Sequence, residues 1–103
     1  MLCNFTLLFV IVNYSQCFDI IAMRLHIEDL CRFGVNLGLE FKDVDEIQNS
    51  KNKSYYKVAK VLDLWHQKAG AKADIQIIIG VLRHIDKVAI AEELQDYLDH
   101  SRN

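Results

Sequence analysis

The residues best suited to chemistry are histidines and cysteines, and their spacing matches no catalytic or metal-binding motif. They are His26, His66, His84, His100, Cys3, Cys17 and Cys31. The sequence holds no His-Glu-x-x-His pair, Cys-x-x-Cys pair, phosphate-binding glycine loop or Gly-x-Ser-x-Gly elbow. A dyad of Cys31 with a histidine is conceivable, but a free helical cysteine usually acts as a small packing residue. We therefore expect no enzymatic activity, no metal and no cofactor.

Charged side chains offer a different kind of chemistry, because they fall along the chain in blocks of alternating sign. Residues 28–46 hold six acids against two bases, and residues 51–72 hold six lysines against one acid. Residues 86–99 hold five acids against one lysine. A net charge of -2 and a pI of about 6.0 argue against general nucleic-acid binding. Blocks of opposite sign are instead suited to binding between protein surfaces.

The chain that must position these residues has 103 residues, the size of one domain. It has no proline and only four glycines, so an all-β fold with many turns is not expected. Apolar residues recur at helical spacing, which predicts an all-α antiparallel bundle of six short helices. The expected helices are Cys17–Leu25, Glu28–Leu37, Phe41–Gln48, Ser54–Ala69, Ile75–Ile85 and Lys87–Leu98.

Small polar residues and glycines mark the expected ends of these helices. Ser54, Asp74 and Asp86 each precede a helical pattern, so each is predicted to cap a helix N-terminus. Gly38 and Gly70 follow helical patterns and are predicted to end them.

The same periodicity predicts the core. The fifth segment is apolar on nearly all sides, so we expect it to be the central, buried helix. Trp65 lies on the apolar side of the fourth segment, which favours core packing over ligand stacking. Leu64 projects among lysines and should be partly exposed. The predicted core is Leu30, Phe33, Leu37, Val58, Leu62, Trp65, Leu82 and Leu94, with Phe41, Val44, Ile47, Tyr55, Ala69, Val88, Ala91 and Leu98 on the same faces.

The start of the chain is apolar and carries no charged side chain before Asp19. Its run Phe5–Val12 is too short to span a bilayer as a helix. We expect an apolar extension at residues 1–16, a domain at residues 17–100 and a tail at residues 101–103. The alternatives are a signal-like segment, although no Lys or Arg precedes the run, and an atypical start upstream of Met23.

The motifs of the second and fourth segments resemble those of the death-domain family. Residues 61–70 (VLDLWHQKAG) are similar to the family's fourth-helix pattern of Leu-Leu-x-x-Trp followed shortly by Gly. Residues 30–39 (LCRFGVNLGL) match its Trp-x-x-Leu-Ala-x-x-Leu-Gly-Leu pattern, with Leu30 and Gly34 replacing the family's Trp and Ala. The resemblance covers residues 17–100 and implies a six-helix antiparallel Greek-key bundle, the death fold.

The resemblance also implies a function, which is protein–protein interaction without catalysis. Such a protein acts by homotypic assembly, as a cytoplasmic adaptor or regulator in apoptotic or innate immune signalling. The implied partners are other death-domain proteins (receptors, adaptors or kinases) and further copies of this chain in head-to-tail oligomers. We expect acidic and basic patches on different faces to meet between copies. The candidate binding residues are Asp43, Asp45 and Glu46 on one copy and Lys57, Lys60, Leu64 and Lys68 on the other.

Two other functions remain alternatives at this point. A secreted or lumenal helical binding protein would carry a glycan at the sequon Asn52-Lys53-Ser54. A nucleic-acid binder would use the lysines of the fourth helix on phosphates, although the flanking acidic blocks would repel DNA. We expect neither nucleic-acid binding nor membrane insertion of the domain.

Overall fold

The computed structural model describes residues 14–101, which form six α-helices and no β-strand. The predicted all-α, six-helix fold is therefore confirmed. Helix α1 is described over residues 14–24, and it is followed by α2 (Leu30–Asn36), α3 (Phe41–Gln48), α4 (Ser54–Ala69), α5 (Ile75–His84) and α6 (Val88–Ser101). The run Phe5–Val12 lies outside the described residues. Within residues 14–101, no helix has the length and the hydropathy that a transmembrane span requires.

The helices enclose one apolar core. Helix α2 packs against α3, α4 and α5, while α3 also packs against α4 and α6 packs against α5. All eight residues expected in the core are buried, and Phe33, Leu62 and Leu82 are fully buried. Since one helix contacts three others, the position of α2 fixes the relative placement of α3 and α4.

Helix α1 begins earlier than the predicted Cys17 and ends before Leu25. Tyr14 is already helical and buried, and its ring centroid lies 4.8 Å from His66 and 6.4 Å from Trp65. These ring contacts attach the first described turn of α1 to α4. Ser15 and Gln16 follow Tyr14 and are exposed, so the apolar pattern of the sequence does not show that the helix includes Tyr14.

Three residues predicted to face the core are exposed, and all three lie in the first turn of a helix. Phe41 begins α3 and is 61% exposed, Val88 begins α6 and is 41% exposed, and Tyr55 is the second residue of α4. Helical side chains lean towards the N-terminus of their helix. A first-turn side chain therefore projects beyond the neighbouring helix, where no core remains to cover it.

Helix α5 is not the fully enclosed helix that its composition predicted. It packs against α2 and α6, and its buried residues, such as Ile78 and Leu82, lie on that side. Ile77 is 46% exposed, and Gly80 is also exposed. The face of α5 that holds Ile77 and Gly80 is therefore apolar and in contact with solvent.

The predicted caps have different outcomes. Asp74 caps α5 as expected, because its Oδ1 accepts a hydrogen bond of 2.9 Å from the backbone N–H of Gln76. Gly70 ends α4 with a φ of 55°, also as expected. The prediction for Ser54 is wrong. Ser54 is the first helical residue, and Lys53 occupies the cap position without a side-chain hydrogen bond.

Asp86 ends α5 rather than capping α6. Its φ is 65°, in the left-handed region, and its backbone N–H donates to the carbonyl of Arg83. The N–H of Lys87 donates to the carbonyl of Leu82 at 2.7 Å, which completes a Schellman turn. As a result α6 begins at Val88, one residue later than predicted, and it continues beyond the predicted end.

The second predicted helix is also divided at its start. A 3-10 turn occupies Ile27–Asp29, and the α-helix begins only at Leu30. Lys87 pairs with Asp29 at 2.8 Å, so this turn is tied to the junction between α5 and α6.

Candidate partner-binding surface

A hollow of about 350 Å³ lies between α3 and α4, and we call it the α3–α4 groove. Five residues between the two helices separate Gln48 from Ser54, so the chain reverses and α4 runs back along α3. Side chains three and four residues apart share one face of a helix, which brings the lining residues together. The lining consists of Asp43, Glu46, Ile47, Ser50, Lys60 and Leu64.

The groove combines two carboxylates, one ammonium group and an apolar floor. Asp43 and Glu46 come from α3, and Lys60 comes from α4. Ile47 and Leu64 are partly buried and pack against the core, so Leu64 is partly exposed as predicted. No ion pair joins Lys60 to another described residue. The charged groups of the groove are therefore available to a partner.

Lys57 has a different role from Lys60, because it supports the end of α3. Its Nζ donates a hydrogen bond of 2.7 Å to the carbonyl oxygen of Gln48, the last residue of α3. The Ser50 hydroxyl donates to the carbonyl oxygen of Ile47, also at 2.7 Å. Both bonds satisfy carbonyl groups that a helix C-terminus leaves open, and the lysine charge suits that end of the helix dipole.

Asp45 lies towards α2 and does not line the groove. It faces Cys31, whose Sγ donates a hydrogen bond to the side-chain oxygen of Gln48. Burial, followed by the nearby Asp45 carboxylate, raises the pKa of the Cys31 thiol. The three acidic candidates are thus divided between two sides of α3.

The expectation that acidic and basic patches occupy different faces is wrong for the residues of the groove. Asp43, Glu46 and Lys60 line one hollow of a single molecule, because α4 folds back along α3. Lys68 is exposed further along α4, two turns beyond Lys60. The five-residue connection between α3 and α4 was the sequence signal for this proximity.

A second hollow of about 370 Å³ adjoins the groove and was not expected from the sequence. It is lined by Asn52, Tyr56, Ala59, Lys60 and Asp63. Lys60 lines both hollows, so the groove and this hollow form one continuous region, which we call the α3–α4 surface. The sequence does contain a signal for this hollow, because the spacing of Tyr56, Lys60 and Asp63 places them on one face of α4.

Tyr56 is the large exposed side chain of this surface, at 59% exposure. Its ring meets that of Tyr55 edge to face, with centroids 5.3 Å apart. The Tyr55 hydroxyl donates to the Asp19 carboxylate at 2.5 Å, and this bond raises the pKa of Tyr55. The link to α1 fixes Tyr55 and gives Tyr56 a supported position, as suits an aromatic group that contacts a partner.

The described cysteines are not activated nucleophiles. Cys17 is fully buried in α1, and burial raises its pKa to about 11. The pKa of Cys31 is raised as well, so both thiols hold their protons at neutral pH. Among residues 14–101 there is also no group of three His, Cys, Asp or Glu side chains arranged to hold a metal ion.

A family model for the death domain matches residues 15–98, which span the described helices almost from end to end. This chain belongs to the death-domain family. Death domains are protein–protein interaction modules of death signalling rather than enzymes, and they bind other death-fold domains. Neither the curated proteins nor the solved structures gave a match to the chain.

Proposed function

We propose that this death domain acts in the cytoplasm as an adaptor or regulator, by homotypic assembly with death-domain receptors, adaptors or kinases. The signalling it serves is apoptotic or innate immune. Family membership and the available α3–α4 surface together carry the proposal. We further propose a role like that of the Fas-associated death-domain adaptor, because Gly80-Val81-Leu82-Arg83 and the segment from Phe18 resemble that adaptor.

Several weak contacts must act together for this surface to bind. An exposed ion pair contributes about 0–1 kcal/mol, so no single charge holds a partner. Asp43, Glu46 and Lys60 supply charges of both signs, while Leu64 is the apolar anchor between them. Lys68 extends the contact along α4. Lys57 contributes indirectly in this proposal, since its hydrogen bond supports the end of α3. Asp45 does not line the groove and takes no part in this contact.

The arrangement of charges favours a protein partner over nucleic acid. Lys60 lines both hollows, and the other charged residues of their linings are Asp43, Glu46 and Asp63. Three carboxylates near one ammonium group would repel a phosphate backbone. They are compatible with a protein surface that presents charges of both signs.

The proposal can be tested by using the full chain as bait in cell lysate and identifying bound proteins by mass spectrometry. We expect death-domain proteins among them and expect Lys60→Glu to reduce their capture, because the reversed charge then repels what the lysine attracted. Lys57 should not be reversed for this purpose, because the change would also disturb the end of α3. Glu92→Lys is the control for a charge reversal elsewhere on the molecule, since Glu92 is exposed on α6 and does not line the groove.

Two results would contradict the proposal. One is a folded bait that captures no death-domain protein. The other is equal capture by the Lys60→Glu variant and the unchanged chain, which would place binding on another surface.

A further inference from the structure

We propose that the α3–α4 groove binds the same groove of a second copy of this chain, across a two-fold axis that runs along the groove. This inference rests on the proposed function, because it names one partner of the same surface. It differs from the head-to-tail assembly predicted from the charge blocks. A two-fold contact uses the same surface on both copies, so no third copy can bind there.

The symmetry follows from the placement of charges on the two walls of the groove. Asp43 and Glu46 lie on the α3 wall and Lys60 lies on the α4 wall, and all three line the same hollow. A rotation of 180° about an axis along the groove places α3 of one copy over α4 of the other. Positions along the axis are unchanged by this rotation. Each Lys60 therefore meets the carboxylates of the other copy, and the favourable contact occurs twice.

Repulsion between like charges disfavours the other symmetric arrangement. A two-fold axis across the groove would place α3 of one copy over α3 of the other. Asp43 and Glu46 would then face their own equivalents, and like charges in contact oppose association. Of the two symmetric arrangements that keep the two grooves aligned, the charges favour the one with its axis along the groove.

Apolar groups lie where such a contact would be centred. Leu64 and Ile47 are partly buried on the groove floor, and Tyr56 is exposed beside it. A stable interface usually buries about 800 Å² on each partner. One groove with a single flanking aromatic residue offers a smaller contact, so the dimer should be weak and visible only at high protein concentration.

Asp63 provides an internal check on the geometry. It lies on α4, one turn after Lys60, and its carboxylate accepts a hydrogen bond from Gln67. In the proposed dimer α4 lies over α3 of the other copy, so Asp63 faces carboxylates and weakens the contact. Asp63→Lys should therefore tighten the dimer, whereas it should weaken binding to a basic partner.

The experiment is sedimentation analysis of the full chain over a wide concentration range. We expect a monomer–dimer equilibrium with no species beyond two copies. The dimer contains the Lys60 contact twice, so Lys60→Glu reverses a charge at both places. It should raise the dimer dissociation constant by about tenfold or more. Asp43→Lys with Glu46→Lys should have the same effect. An equimolar mixture of these two variants should restore association, because each then presents the charge that the other lacks.

Glu92→Lys is again the control for a charge reversal outside the groove and should leave the dissociation constant unchanged. Circular dichroism and melting curves establish that each variant is folded, as expected for substitutions on the surface. A monomer at every concentration would overturn the inference. So would growth beyond two copies, no recovery in the mixture, or a weaker dimer with Asp63→Lys.

The inference and the proposed function fail in different ways. A chain that stays monomeric but captures other death-domain proteins overturns the two-fold dimer and leaves the proposed function intact. A charge-dependent dimer that captures none of them supports the dimer and contradicts the wider homotypic role.

Discussion

The contact between α2 and α3 predicts how Gly34→Ala changes the free energy of unfolding. The sign of that change depends on the side chain of Val44. Gly34 is buried in α2, and a Cβ atom added there would lie 2.7 Å and 3.0 Å from the two Cγ atoms of Val44. Val44 is fully buried in α3 and β-branched, so it has little freedom to move aside. Overpacking of this kind typically costs about 1–3 kcal/mol. Replacing glycine by alanine inside a helix gains about 1 kcal/mol.

The two effects predict that Gly34→Ala lowers the free energy of unfolding by about 1 kcal/mol. The matched test is the same substitution in a Val44→Ala background. Val44→Ala alone should cost about 2–3 kcal/mol, because it removes buried methyl groups and leaves a cavity. It also removes the obstructing Cγ atoms, so Gly34→Ala should then become stabilising by about 1 kcal/mol.

Urea unfolding of the four proteins, followed by circular dichroism, measures this double-mutant cycle. The expected result is a change of sign between the two backgrounds, with a coupling of about 2 kcal/mol. If Gly34→Ala stabilises the unchanged chain as much as it stabilises the Val44→Ala variant, the steric argument is refuted. That result would mean that α2 and α3 separate at no cost, contrary to a closely packed core.

Four other substitutions test separate parts of the structure. Trp65→Ala should cost about 3–5 kcal/mol, enough to unfold most of so small a domain at 37 °C, and a native melting temperature would contradict its core position. Asp86→Gly should stabilise by about 0.5–1 kcal/mol in urea unfolding, because glycine adopts the left-handed conformation without strain. Lys57→Gln should cost about 1 kcal/mol through the lost bond to α3, while partner capture should persist. Burial raises the pKa of Cys17 from 9.0 to about 11, so folding favours the protonated thiol. This contribution to stability is complete below pH 9 and is lost as the pH rises through about 11, and thermal melts of Cys17→Ala should show a smaller loss over that range.

Much of the fold was predictable from local patterns, and the errors have a common physical origin. The bounds of α3 and α4 match the prediction, because apolar spacing and terminal residues define both helices. Phe41 and Val88 were misplaced because a helical pattern identifies a face but does not show where the neighbouring helix ends. Asp86 was misread because an aspartate before a helix can cap it or terminate the preceding helix, and the left-handed backbone decides between them.

The candidate surface was less accessible to sequence reasoning than the fold. Leu64 was correctly expected to be partly exposed, because it departs from the apolar face of α4. The position of Lys60 among carboxylates depends on how α4 folds back along α3, a tertiary relation that charge blocks along the chain do not contain. The exposure of Tyr56 was not predicted, because only the packing around an aromatic residue shows whether it is exposed or part of the core.

Lys60 therefore has more influence on partner choice than its one charge would suggest. Among the residues that line the two hollows it is the one positive group, and the others that carry charge are Asp43, Glu46 and Asp63. Without it the charged residues that line the two hollows would all be acidic and suited to a basic partner. With it the surface carries both signs and is complementary to itself. Since specificity is a difference between affinities, a lysine that improves one contact and opposes another can select the partner while adding little to the strength of binding.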